Sequence, residues 1–208
     1  MNPVDIAEPM QSRWSPSVFD DTHVLTDAEI TRLLEAAQWA PSSGNRQPWR
    51  LVVATRGSAA HEVLVPHLSR GNSGWVPRAS VVFLSAVVLG ADGDELKDVL
   101  IPAHDVGQAA AHLTLQAEAM GLKAHQFGGF DHAAVAAGLG LPDDARLIAG
   151  IAVGVRGNPA DVPERDAERD HRVRDRRPLT ETAYDDRWGH AWPGLVPSGP
   201  VTAPTARR

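Results

Sequence analysis

The run from Ser80 to Leu89 carries no charge and is dominated by Val and Leu. A strand of that composition is buried on both faces, so it must sit inside a sheet that other elements cover on each side. The wider apolar stretch, Ala79 to Ala91, is too short to cross a bilayer as a helix. The chain is therefore expected to layer helices on a sheet built around this strand. Its 208 residues fit one domain with a core of its own.

The flanking segments supply the other elements. Thr26 opens a capping box with Glu29, and Ile30, Leu33, Leu34 and Ala37 follow at the spacing of one helix face. Pro41 lies just past that helix and helps to end it. Leu51–Thr55 reads as a strand and Ala59–Leu68 as a helix. Val106, Ala110, Leu113, Ala117 and Met120 predict a helix over Asp105–Met120, with Gly121 where a C′ glycine belongs. Leu122–Phe127 and Leu147–Val155 read as strands, and Asp131 as the cap of a short helix through Ala137. Strands and helices are thus interspersed, giving an α/β or α+β sheet flanked by helices.

After Val155 the composition changes. Acids and bases dominate from Gly157 to Arg177, and Pro, Gly, Ala and Thr from Gly189 onward. This places one domain in residues 1–190. Residues 191–208 form a tail that is disordered or packed on a partner.

Several function classes are disfavoured. A formal net charge of -6 gives no reason to expect nucleic acid or an anionic membrane as partner. The absence of cysteine excludes disulfides, thiolate nucleophiles and Cys-ligated metal. The segment Met1 to Glu8 lacks the basic and apolar regions of a secretory signal, so the expected location is cytoplasmic. There is no phosphate loop, no H-E-x-x-H and no Gly-x-Ser-x-Gly. His104, His112, His125 and His132 read as surface or satisfied core residues, and Asp92, Asp94 and Glu95 as a solvated turn. Few acid–base candidates remain, beside several clustered Arg, Ser, Asn and Gly. That balance suits chemistry carried by a bound cofactor.

The string Ala40-Pro41-Ser42-Ser43-Gly44-Asn45-Arg46-Gln47-Pro48-Trp49, set between an amphipathic helix and a strand, resembles the signature of FMN-dependent nitroreductases. Three further segments resemble that family in its order: Arg13-Trp14-Ser15-Pro16-Ser17-Val18-Phe19, Asp105-Val106-Gly107-Gln108-Ala109 running to Gly121-Leu122, and Arg174-Asp175-Arg176-Arg177-Pro178-Leu179. The similarity spans Arg13 to Trp188. It implies an α+β fold with a central mixed sheet flanked by helices. It also implies a homodimer whose C-terminal segments are swapped onto the partner, with one FMN in each of two interface clefts.

The resemblance also assigns roles. Arg13, Trp14, Ser15 and Ser17 belong to a box that meets the FMN phosphate from one end of the chain, and Arg174 and Arg176 approach it from the other. A solvated charged loop is the alternative for these arginines. Pro41, Ser42, Ser43, Asn45 and Gln47 meet the flavin of the other subunit, though they also suit a plain helix-to-strand turn. Trp49 reads as core. Asn72 matches an asparagine at the flavin's pyrimidine edge. Phe127-Gly128-Gly129-Phe130 matches the loop facing flavin N5, where a backbone N–H can donate; an ordinary strand-to-helix turn is the alternative. The family often has a base where this chain has Ser17 and Trp75, and Arg78 could replace it. Arg46 is a further ligand-contact candidate.

The implied reaction passes a hydride from NADH or NADPH through FMN to an electron-poor small-molecule acceptor such as a nitroaromatic, quinone or activated alkene, with no side chain acting as nucleophile. A specialised flavin-dependent oxidase or dehydrogenase of the same fold is one alternative. A flavin-binding protein without turnover is another.

Overall fold

The structure is a computed structural model that describes residues 6–195. It divides into two compact units, Glu8–Asp170 and a smaller one that contains the described residues from His171 on.

In the larger unit, four strands form one sheet in the order β1-β2-β4-β3. They are β1 (Trp49–Thr55), β2 (Val81–Val88), β3 (Lys123–Phe127) and β4 (Ala145–Gly154). Every pairing among the described residues is antiparallel. The layered α+β class expected from the sequence holds; the sheet described here is antiparallel where a mixed one was anticipated, because each strand returns against its neighbour.

Strand β2 lies between β1 and β4, as its uncharged run demands. Its side chains alternate between two cores, as the pleat requires. Val81, Phe83 and Val87 join a cluster with Leu33, Ala37, Val106, Leu113 and Ile151. Val82, Leu84 and Ala86 join a second with Phe19, Leu64, Trp75 and Phe127. The first cluster is covered by α1 (Asp27–Gln38) and α3 (Ile101–Ala119). The capping box of α1 forms as predicted: Thr26 Oγ1 accepts from Glu29 N–H, and Thr26 N–H donates to the Glu29 carboxylate.

Several boundaries differ from expectation. The helix read as Ala59–Leu68 ends as α2 at Leu64, followed by a tight turn over Val65–His67; Pro66 supplies no N–H to continue it. Helix α3 begins at Ile101, a turn before the predicted start, and is preceded by a wider turn at Leu96–Leu100. Pro102 near its start is compatible with a helix because the first N–H groups have no intrahelical partner. Short helix α4 (His132–Leu139) is capped by Asp131, which accepts from Ala134 N–H at 3.0 Å.

The charged run is also more ordered than its composition suggests. Glu164–Asp170 forms α5, with Asp166 and Asp170 buried. In the smaller unit, a turn at Leu179–Glu181 precedes a bridge between Tyr184 and Ala191. The predicted tail falls mostly on 196–208, outside the described residues. Among the described residues no helix is long and apolar enough to cross a membrane.

Candidate functional site

The larger unit gathers many of the predicted residues around the end of β3. Half-buried Arg13 donates from Nη1 to Ser15 Oγ at 3.2 Å. The Arg156 guanidinium lies over the Trp14 ring, 5.5 Å from its centroid. Deeper in, the Ser17 amide donates to Asp170 Oδ1 at 2.5 Å. The Pro16 carbonyl takes a hydrogen bond at 2.8 Å from His125 Nδ1, which must carry the proton because a carbonyl can only accept. The box Arg13–Ser17 is thereby fastened to both β3 and α5.

His125 stacks on Trp75 with ring centroids 4.2 Å apart. Burial lowers the His125 pKa below its ordinary value; the bond to Pro16 opposes this, and the Arg169 and Arg13 charges reinforce it. Trp75 is 1% exposed and also meets Phe19 and Phe127. Its Nε1–H donates to the Gly71 carbonyl at 3.1 Å, which Arg169 Nη1 shares at 2.6 Å. An aromatic stack therefore fills the position where the resemblance expects a base, and Ser17 is equally buried. Arg78, considered as a substitute, is bound to Asp21 at 2.8 Å and donates to the Phe19 carbonyl.

At the tip of β3, Phe127 lies over Gly150; a Cβ there would sit 2.3 Å from the Phe127 ring. Gly128 is exposed, and a Cβ on it would meet nothing within 4 Å. Gly129 is closed in on one side, with a Cβ falling 2.6 Å from Ser69 Oγ and 2.7 Å from Asn72 Nδ2. The Asn72 side chain donates to the Gly129 carbonyl at 3.0 Å. Asn72 thus reaches the glycine loop itself, joining two predicted site elements.

The second group is the loop after α1. Ser43 N–H donates to Asp105 Oδ2 at 3.0 Å, and Gln47 N–H to Ser42 Oγ at 3.0 Å. The Gln47 side chain bonds Asn45 Oδ1 at 3.0 Å. Gly44, Asn45 and Gln47 all adopt positive φ, of 57°, 55° and 48°, a conformation that non-glycine residues rarely take. Pro41, Ser43, Asn45 and Arg46 are left exposed while Trp49 enters the core, as expected.

Arg174 and Arg176 belong to the smaller unit, where Arg176 is exposed and donates to the Asp175 carbonyl at 2.7 Å. Sequence reasoning missed Asp105, His125 and Asp170 as supports. Each is polar and acts on a backbone group distant in sequence, so periodicity carries no trace of it. Among the described residues no group of three or more His, Cys, Asp or Glu could hold a metal ion.

A model of the nitroreductase family matches residues 10–86 and 61–155. The chain belongs to the nitroreductase family. An uncharacterized 15.4 kDa protein in the ask 5′ region of Mycolicibacterium smegmatis is 38% identical over 149 residues, covering 68% of this chain and 98% of that one. A Bacillus subtilis protein provisionally named an NAD(P)H nitroreductase is 30% identical over 171 residues, covering 66% and 81%. A solved structure described as an oxidoreductase containing FMN superposes with a TM-score of 0.82 at 30% identity, covering 91% of this chain and 96% of that one. The family match stops at Val155, short of the basic box Arg174–Leu179.

Proposed function

We propose that this nitroreductase-family chain is an FMN-dependent oxidoreductase, acting as a homodimer on NADH or NADPH and an electron-poor acceptor such as a nitroaromatic, quinone or activated alkene. The observation that carries the reading is the tip of β3: an exposed Gly128 with open space where a side chain would stand. A flat ring system needs that kind of close backbone approach. The similar solved structure is described as containing FMN, and the donors present suit it.

When bound, FMN would supply hydride transfer, through its N5, between the nicotinamide and the acceptor. Arg13, oriented by Ser15, would grip the phosphate, since a guanidinium matches phosphate oxygens in fork geometry. Trp14 and Ser17 would keep the box in place. Gly128 and Gly129 would present backbone to N5, beside Asn72 and Phe127. Ser42, Ser43, Asn45 and Gln47, with Pro41, would line the site of the partner subunit, carried on a loop whose shape Asp105 holds. The protein's own share is positioning and exclusion of water.

Reconstitution with FMN followed by turnover of NADH or NADPH with a quinone tests the reading. Consumption of the nicotinamide that depends on both FMN and quinone supports it. A second reading draws on the burial of uncharged Ser17 and Trp75: with no base at either position, the chain would bind flavin without reductase turnover. Tight FMN binding with no nicotinamide consumption would favour that alternative, or a specialised oxidase or dehydrogenase of the same fold.

A further inference from the structure

His132 is the first residue of α4 and follows the glycine loop directly. Its ring stacks on Phe130, with centroids 4.0 Å apart and planes at 14°. Nε2 lies 3.0 Å from the Gly128 carbonyl oxygen and Nδ1 lies 3.2 Å from that of Leu147. Both partners are acceptors, so a bonding nitrogen must carry a hydrogen. The Nε2–H tautomer donates to Gly128, the shorter of the two contacts, whereas the Nδ1–H tautomer would donate to Leu147 instead.

These contacts fix more than a carbonyl. The described chain has one cis peptide, Glu8–Pro9, so the Gly128–Gly129 peptide is trans. In a trans peptide the C=O and the following N–H point in opposite directions. In the Nε2–H tautomer the Gly128 carbonyl is held by His132 Nε2, and it also accepts from Phe130 N–H at 3.1 Å. The next carbonyl, that of Gly129, is held by Ser69 N–H at 2.9 Å and by Asn72 Nδ2. With both planes pinned through their oxygens, the Gly129 N–H faces away from His132. Two consecutive glycines would otherwise leave this peptide free to rotate.

We propose that His132 is a positioning residue that aims the Gly129 N–H at the flavin. The proposal rests on the FMN reading above. The donor would favour electron density arriving at the ring atom it faces, as preorganised backbone donors do elsewhere.

The test compares wild type with His132→Phe, which keeps an aromatic ring against Phe130 and removes both donors, and with His132→Gln, which restores one. The first readout is the residual dipolar coupling of the Gly129 N–H in protein free of flavin. Wild type and His132→Gln should report one fixed orientation, and His132→Phe an averaged one. The second is the rate of flavin reduction by NADH in a single turnover with FMN bound. It should fall about tenfold in His132→Phe, the worth of one net hydrogen bond, with little change in FMN affinity. An unchanged coupling in His132→Phe overturns the proposal, as does an averaged coupling with an unchanged reduction rate. If no variant binds FMN, the flavin reading has failed, and the coupling alone decides whether His132 sets the peptide. Should His132→Phe not fold, His132→Leu provides the same comparison.

Discussion

Asp105, buried on the central helix α3, accepts the backbone N–H of Ser43 at 3.0 Å across 62 positions of sequence. One carboxylate thus ties the Pro41–Gln47 loop to the core. Asp105→Ala leaves that N–H without its acceptor, which typically costs about 1–3 kcal/mol. We expect a lower melting temperature and weaker FMN binding. Asp105→Asn, which keeps an acceptor oxygen, should fall between. Thermal unfolding and flavin titration measure both.

The two glycines at the tip of β3 should respond differently. Gly128→Ala meets nothing in this chain, whereas Gly129→Ala drives a Cβ into Ser69 and Asn72. Gly128→Ala should fold with near wild-type stability and lose FMN affinity, because the new methyl occupies the space proposed for the ring. Gly129→Ala should lose stability as well, by about 1–3 kcal/mol as overpacking does. Denaturant unfolding beside FMN titration separates them.

Arg13→Ala should act on the phosphate alone. Hydrogen bonds to charged groups contribute about 1.5–3 kcal/mol, so FMN affinity should drop roughly ten- to a hundredfold. Affinity for riboflavin, which lacks the phosphate, should stay the same. An equal loss for both ligands would contradict the phosphate role.

Acidification should weaken the fold through His125. Its folded pKa is lowered, chiefly by burial, from the ordinary 6.5. The unfolded chain therefore binds the proton more readily. The contribution is fully present above pH 6.5, the unfolded value, and is lost as pH falls below it and through the folded pKa. His61, also buried, is shifted the same way. Urea unfolding at neutral and mildly acidic pH should show this decline, and His125→Phe should flatten it in part.

The legible portion of the molecule followed from apolar pattern and local capping. Thr26 and Glu29 announce α1 because both partners lie within one turn. The uncharged Ser80–Leu89 run announces β2 because burial on two faces leaves no room for charge. The motif loop and glycine pair were legible as family signatures. What stayed hidden were polar side chains buried against distant backbone. Asp170 holds Ser17, and Asp166 packs under Gly74 within 3.6 Å of Arg169. In the sequence both sit among alternating acids and bases that look solvated. Only the fold shows which of those charges turn inward.

The central claim, a flavin that this protein reduces with a nicotinamide, is tested most directly by an absorption spectrum of the FMN-reconstituted protein under argon. The spectrum is recorded before and after adding NADH or NADPH. Bound-flavin bands that bleach on addition are the predicted result. A protein that shows no flavin bands even after FMN is supplied would contradict the account.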